Sequence, residues 1–540
     1  MRFTVTRRRL LTALAGLGVA TAGAAAWVVA RKPLPSTLSG ADFTRGHRLR
    51  GRPRFPEPAR EERTGIVIIG GGVAGLAAGW TLAEAGFDDF RLLELEDQVG
   101  GNARSGRNAV SAYPLGAHYL PVANHEATAL RYMLTRLGMI IGEKDGAPVY
   151  DPYQLCADLE ERLFHQGRWQ EGLIPRRGLS DRDKADLARF AAMMAAFSAR
   201  NGADGKPAFA IPIRLSSQDP DLLALDAIGF GQWIDEQRFT SPVLRAHLRY
   251  ATRDDYGCEP ADVSAWAGIH YFAGRRGWAA DGAGDNQLTW PEGNGRLARL
   301  MADRFRDRIM AGRITHRIAI EGDGVVVDSL DTATDSGIRT RARAAIIATP
   351  HFIAARIAPE AAPDATGFGY APWVVANVTV DRLPAGRGEP VAWDNVSATS
   401  ESLGYVVATH QDRSRGGPSV LTWYMPLSTM PPADARRLML ARPVEEWSRI
   451  VEADLLAMNP ELEGAIRRID VWRWGHAMAR PVPGFIWGTA RHAADAARPP
   501  LFLAHSDLTG ISIFEEAHYH GVTAAEGAMR HMGHRHASVL

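Results

Sequence analysis

The sequence predicts an α/β protein with a Rossmann-like dinucleotide-binding domain and a mixed α+β partner domain, and three observations carry that prediction. First, the apolar run Ile66-Val67-Ile68-Ile69 stops at Gly70-Gly71-Gly72, and an alanine-rich helical stretch follows. Second, a further strand-like run, Phe90-Arg91-Leu92-Leu93, ends on an acid, Glu94. Third, strands and helices alternate from Gly65 onward, as they do in α/β folds. At 540 residues the chain exceeds what one hydrophobic core supports, so two or more domains are expected. A formal net charge of +1 argues against a nucleic-acid partner, which would be held through counterion release.

The first 30 residues are expected to lie outside the fold. Thr6-Arg7-Arg8-Arg9 sets paired arginines before an Ala/Gly-rich apolar run, Leu10 to Ala30, the pattern of a twin-arginine export signal. About 20 apolar residues also suffice for a membrane anchor. Small residues at Ala22-Gly23-Ala24 offer a cleavage site, but Trp27 to Ala30 continues the apolar run, so an uncleaved tether stays open. The export machinery is therefore an expected partner, and the periplasm or another extracytoplasmic space the expected location. Residues 31–63, rich in Arg, Pro and Gly and without periodicity, read as a linker. Cys156 and Cys258 make no disulfide framework, and no metal-ligand spacing occurs, so no metal is expected.

In the glycine cluster each position has a task. Gly70 permits the tight turn, Gly72 admits a pyrophosphate to the backbone, and Gly75 lets helix and strand pack closely. The phosphates then meet free N–H groups at the helix start, where Val73 and Ala74 stand. Glu94, with Leu95 beside it, is placed to take ribose hydroxyls.

Residues 126–284 read as helix-rich. Ser180-Asp181-Arg182-Asp183 forms a capping start, and Leu187, Phe190, Met193, Met194 and Phe197 follow at helical spacing as a core face. Gly322-Asp323-Gly324 is a hairpin turn before Val325-Val326-Val327, and the apolar strand Ala344 to Ala348 ends at Thr349-Pro350. His531, His534 and His536 read as a mobile polar tail.

Past Glu94 come Gly100-Gly101 and then Gly116-Ala117-His118-Tyr119. With Trp290-Pro291-Glu292-Gly293, Trp472-Arg473-Trp474, Leu501 to Asp507 and Glu515-Glu516-Ala517, the chain resembles the flavin amine oxidase superfamily, which includes phytoene-desaturase-like enzymes. The resemblance implies FAD, a small-molecule substrate and an electron acceptor, oxygen or another, and with no cysteine near the C-terminal flavin strand the FAD is expected to be noncovalent. It implies that Gly101, Asn102 and Arg104 serve the phosphates, that Asp507 bonds the ribityl or pyrophosphate region, and that Glu516 and Ala517 open the helix aimed at the flavin. A discontinuous FAD domain is then expected from 64–125, 285–350 and 470–540, and a substrate domain from 126–284 and 351–469.

Three departures stand out. The family's Gly-Gly-Arg is Gly100-Gly101-Asn102 here, and Ser506 replaces the glycine before Asp507. The lysine that holds a water near flavin N5 is absent, since no lysine follows Lys206. Asn377 or its neighbour is expected in its place. Histidine titrates near neutral pH, so His118 and His505 lead the acid–base candidates, with His476 and His520 behind. Trp474, Trp472 and Tyr424 are candidates to wall the substrate site. The expected reaction is hydride transfer from a C–N or C–C bond to flavin N5. A desaturase or isomerase on an apolar substrate and a non-catalytic FAD-binding scaffold are the rival readings.

Overall fold

The apolar runs read above become the centre of a seven-stranded sheet. In this computed structural model, which describes residues 34–51, 54–362, 365–412, 417–494 and 498–540, the strand Pro58–Ile69 lies parallel between Phe90–Leu93 and Ser336–Ile347. Leu501–Leu503 pairs with the end of the latter, and Ile309–Met310 closes the opposite edge. Ile66, Val67 and Ile68 are fully buried, because this parallel core is covered on both faces. The fingerprint helix Val73–Glu84 packs against the C-terminal helix Phe514–His531 so closely that a Cβ on Gly521 would meet the Ala74 carbonyl oxygen at 2.3 Å. Arg313–Glu321 and Gly324–Asp331 form the expected hairpin beside Ser336–Ile347.

A second sheet has eight strands in the spatial order Ser36–Gly40, Ile466–Ala479, Tyr370–Val380, Ser419–Pro426, Tyr405–Val407, Asp394–Ser397, Glu161–His165 and Arg168–Glu171. The helix Val444–Met458 covers it through Trp447, Val451 and Leu455. The helix-rich middle forms its own apolar cluster around Phe190, Phe230, Trp266 and Leu248. Ser180 and Asp183 make the capping box at the start of Asp181–Ala199, and Met194 fills this core.

Two expectations change, for the linker and for the tail. The 31–63 linker holds a strand, Ser36–Gly40, paired in parallel with Ile469 to Arg473, a short helix, Phe43–His47, and the start of Pro58–Ile69. Its polar composition hid this, because an edge strand forms through backbone hydrogen bonds and needs only one covered face. The strand Ile466–Ala479 lies second in the eight-stranded sheet, and its end from Trp474 to Ala479 lines the cleft described below. The tail is docked: Ser538 and the Val539 N–H donate to Glu526, at 2.8 and 2.9 Å. Cys156 and Cys258 are both buried free thiols. The signal reading of 1–30 lies outside the described residues, and among those described no helix is long and apolar enough to cross a membrane.

Candidate functional site: a dinucleotide cleft and an acidic aromatic chamber

At the carboxyl ends of the parallel strands a cleft of about 680 Å³ opens. Eleven of the sequence-derived cofactor residues line it: Gly70, Gly72, Val73, Ala74, Glu94, Leu95, Gly101, Asn102, Arg104, Asp507 and Ala517. Gly70 adopts φ +103°, which side-chain-bearing residues avoid. Gly75 stands behind the wall, where a Cβ would meet the Gly70 carbonyl oxygen at 1.9 Å. Gly72 differs, since a Cβ there would meet nothing within 4 Å and would fill the cleft itself. Glu94 accepts from the N–H groups of Gly71 at 2.5 Å and Glu96 at 2.8 Å. Burial raises its pKa despite those bonds.

The residues present fit a dinucleotide. Thr349 Oγ1, Arg104 Nε and Asp507 Oδ1 are buried on cleft-lining residues without a hydrogen-bond partner among the described residues. Asp507 Oδ2 accepts from the Tyr370 hydroxyl at 2.5 Å and the His351 N–H at 2.8 Å. Burial pushes Asp507 upward, but His505, the His351 N–H and Tyr370 outweigh it and hold the carboxyl below its ordinary range. It therefore meets a ligand as an acceptor.

The catalytic candidates separate. Trp474 and His505 line the cleft, and Trp474 Nε1 donates to the Leu115 carbonyl at 2.5 Å. His118 and Asn377 do not line it. Asn377 sits in mid-strand, donating to the Pro114 carbonyl and accepting from Thr422 at 2.8 Å, as a buried tether. Tyr370, at the near end of the same strand, is the residue that reaches the cleft. Glu516 is also displaced: it accepts from the Ile213 N–H at 2.7 Å and the Thr509 hydroxyl at 2.6 Å, anchoring a loop of the helical region. His520 stands beside it, buried. His476, a lesser candidate from sequence, also lines the cleft, and sequence reading missed Arg50, Arg313, Arg356 and Arg436, which come from the N-terminal arm, the first sheet, the helix His351–Ile357 and the helix Pro432–Ala441.

Beyond Ala117 and Trp474 aromatic and acidic side chains gather into what we term the chamber, of which sequence had singled out His118 and Tyr424. His118 stacks on Tyr424 with ring centroids 4.4 Å apart, beside Trp393 and Tyr119. Trp474 and Ala477, which wall the cleft, belong to the same apolar cluster as Tyr424 and Trp393. Three carboxylates converge here. Asp394 and Glu161 are register partners on adjacent strands, the Tyr250 hydroxyl donates to Asp394 at 3.4 Å, and Asp254 lies one turn past Tyr250 on its helix. All lie deep in the protein yet keep accessible surface. Burial raises Asp394 well above its ordinary value, reinforced by Glu161 and Asp254. Burial and Asp255 likewise raise Asp254. The Tyr424 hydroxyl, on a residue only 4% exposed, has no hydrogen-bond partner among the described residues and is raised by burial, Asp394 and Asp254. Burial lowers His118 to about 4, so it is neutral at physiological pH. Among the described residues, no Lys or Arg forms an ion pair with Glu161, Asp254 or Asp394; Arg275 is taken by Asp255 at 2.9 Å.

Fold and cleft together define an α/β protein with a Rossmann-like dinucleotide-binding cleft. The profile of the flavin containing amine oxidoreductase family matches residues 73–529, and the chain belongs to that family. It is an FAD-dependent oxidoreductase. Polyamine oxidase 7 of Oryza sativa subsp. japonica is 33% identical over 93 residues, a match spanning 17% of this chain and 15% of that protein. Among solved structures, wild-type putrescine oxidase bound to putrescine superposes with a TM-score of 0.63 at 17% identity, covering 87% of this chain and all of that one. Cyclohexylamine oxidase from Brevibacterium oxydans gives 0.62 at 16%, covering 87% of this chain and 99% of that one. A fatty acid isomerase from P. acnes gives 0.55 at 15%, over 86% and 98%. These likenesses establish the shared fold.

Proposed function

We propose that this enzyme oxidises a cationic amine, with hydride passing from the carbon of a C–N bond to flavin N5. The observation that carries the reading is the chamber: three deep carboxylates with no ion-pair partner among the described residues and an unsatisfied tyrosine hydroxyl. Buried like charges are unfavourable alone and favourable around a cation, and tyrosine and tryptophan faces add cation–π attraction. An apolar polyene would leave the Tyr424 hydroxyl unpaired, and a fatty acid would bring a further carboxylate among these acids, which disfavours the desaturase and isomerase readings. The relatives named for putrescine, cyclohexylamine and polyamine oxidation support the same choice. When bound, the flavin supplies the two-electron acceptor. The chain's own residues do the rest: Trp474 and Ala117 wall the cleft toward the chamber, and a carboxylate raised toward neutrality receives the proton that the ammonium must shed. His118, neutral and stacked, orients Tyr424 and takes no proton at physiological pH.

Noncovalent attachment is part of the proposal, supported by the placement of both cysteines outside the cleft lining. So is export by the twin-arginine route to the periplasm, since a noncovalent cofactor must be loaded into a folded chain before translocation. The test is anaerobic mixing of the purified flavoprotein with diamines, monoamines and an unsaturated fatty acid, read as bleaching of the visible flavin band. Bleaching by an amine and slowing by Asp394→Asn are expected. Bleaching by the fatty acid alone would sink the amine reading.

A further inference from the structure

The family match begins at residue 73, yet the cleft is closed by a segment that precedes it. Asp42, Phe43, His47, Leu49 and Arg50 all line the cavity. We propose that the arm Ser36 to Arg50 is a cofactor clamp, a binding element outside the residues that the family profile matches, whose docking determines how long the dinucleotide is held. The inference rests on the FAD reading of the cleft.

The arm is fastened at three places. Its strand pairs in parallel with the second sheet, Ser36 opposite Ile469 through Gly40 opposite Arg473. Its short helix is latched to the first domain just past the ribose-binding acid. There the Asp42 N–H donates to Glu96 Oε1 at 2.8 Å, and Arg45 donates to the Leu95 carbonyl at 3.2 Å and to Asp97 at 2.7 Å. Leu49, 6% exposed, then enters the apolar cluster of Ile69 and Leu93 under the sheet. A segment tied to both domains and lining the groove between them must lie across the path by which a dinucleotide enters or leaves.

Charge points to the same ligand. Arg50 of the arm and Arg356, Arg436 and Arg473 opposite it line the cleft, and none has a carboxylate partner within ion-pair distance among the described residues. Arg436 and Arg473 are positioned by backbone carbonyls instead, of Tyr370 and Ser39. His476 in their midst is lowered to about 4, by burial first and then by Arg436 and Arg50. Uncompensated guanidinium groups around a groove that already offers a helix N-terminus call for an anion with the charge of a diphosphate.

The experiment measures release of FAD from the full-length flavoprotein after dilution, followed by the rise in free-flavin fluorescence. Gly40→Val sets a side chain where a Cβ already meets the Arg473 carbonyl oxygen at 2.8 Å, so it lifts the strand from its edge. Asp97→Ala cuts only the exposed end of the latch, leaving a chain that folds if Gly40→Val does not. Release faster by about threefold to tenfold is expected for Asp97→Ala, the loss of one charge-assisted bond, and more for Gly40→Val. Arg50→Ala should also speed release and flatten its dependence on salt. Variants with wild-type melting temperature that release FAD at the wild-type rate would overturn the clamp while leaving the cofactor reading intact. A chain that takes up no FAD in any form would overturn both.

Discussion

Gly75 and Gly72 are three residues apart and do different work, which a pair of alanine substitutions separates. At Gly75 the new Cβ would collide with backbone at 1.9 Å, so strand and helix must part. Gly75→Ala is expected to destabilise the apoprotein by about 1–3 kcal/mol, read by thermal unfolding. At Gly72 the backbone is ordinary, with φ −72°, and space is open. Gly72→Ala should shift apoprotein stability by no more than about 1 kcal/mol while lowering flavin occupancy. Equal loss of stability in both would contradict the cradle. Tyr424 offers a second residue-scale test. Tyr424→Phe removes a buried hydroxyl with no partner, so the ligand-free melting temperature should hold or rise. The same change should raise KM for the amine about tenfold if that hydroxyl greets substrate. An unchanged KM would make Tyr424 ordinary core.

The C-terminal helix shows how an element can matter to a site without touching it. Ala517 lines the cleft, but the neighbouring Glu516 turns away to hold the Ile213 N–H and Thr509. That bond ties the helical region to the cofactor domain across 303 residues of sequence. Glu516→Ala leaves a buried N–H unsatisfied, an expected loss of about 1–3 kcal/mol in urea unfolding. Flavin bound per folded chain should stay at the wild-type level. A variant of full stability without flavin would return Glu516 to the cofactor site. Asn377 belongs to the same class, because its side chain joins the Tyr370–Val380 strand to Pro114 and Thr422 rather than facing the cleft.

For the whole molecule, buried histidines and buried acids set opposing limits on pH stability. Burial lowers His118, His270 and His518 from 6.5 to about 4. Their depressed folded pKa favours the native state above 6.5, and that contribution is lost as pH falls through about 4. Burial raises Glu515 and Glu516 from 4.5 to about 7. Their contribution is fully present below 4.5 and is lost as pH rises through about 7. Ligand-free stability should therefore peak near about pH 6 and fall on both sides, measured by thermal unfolding from pH 4 to 9. A melting temperature that climbs steadily from pH 6 to pH 8 would show that these acids ionise without penalty.

Local chain chemistry was enough for the dinucleotide half. An apolar strand, a glycine turn, a small-residue helix and an acid at the next strand's end are a contiguous pattern, so Gly70, Gly72 and Glu94 were legible one by one, whereas Gly101, Arg104 and Asp507 came only from the resemblance to the family. The arm was not, since Ser36-Thr37-Leu38-Ser39-Gly40 carries no apolar period and becomes a strand only when Ile469 to Arg473 offers an edge. The chamber was hidden for the same reason. Glu161, Tyr250, Asp254, Asp394 and Tyr424 come from four separate elements, and of these only Tyr424 was a candidate from sequence. Sequence determined what the backbone could do near itself: turn, cap, and bare its N–H groups to a phosphate. Tertiary structure decided which distant side chains share a low-dielectric space, and there the surrounding charges, rather than residue type, set each group's protonation and the ligand it can hold.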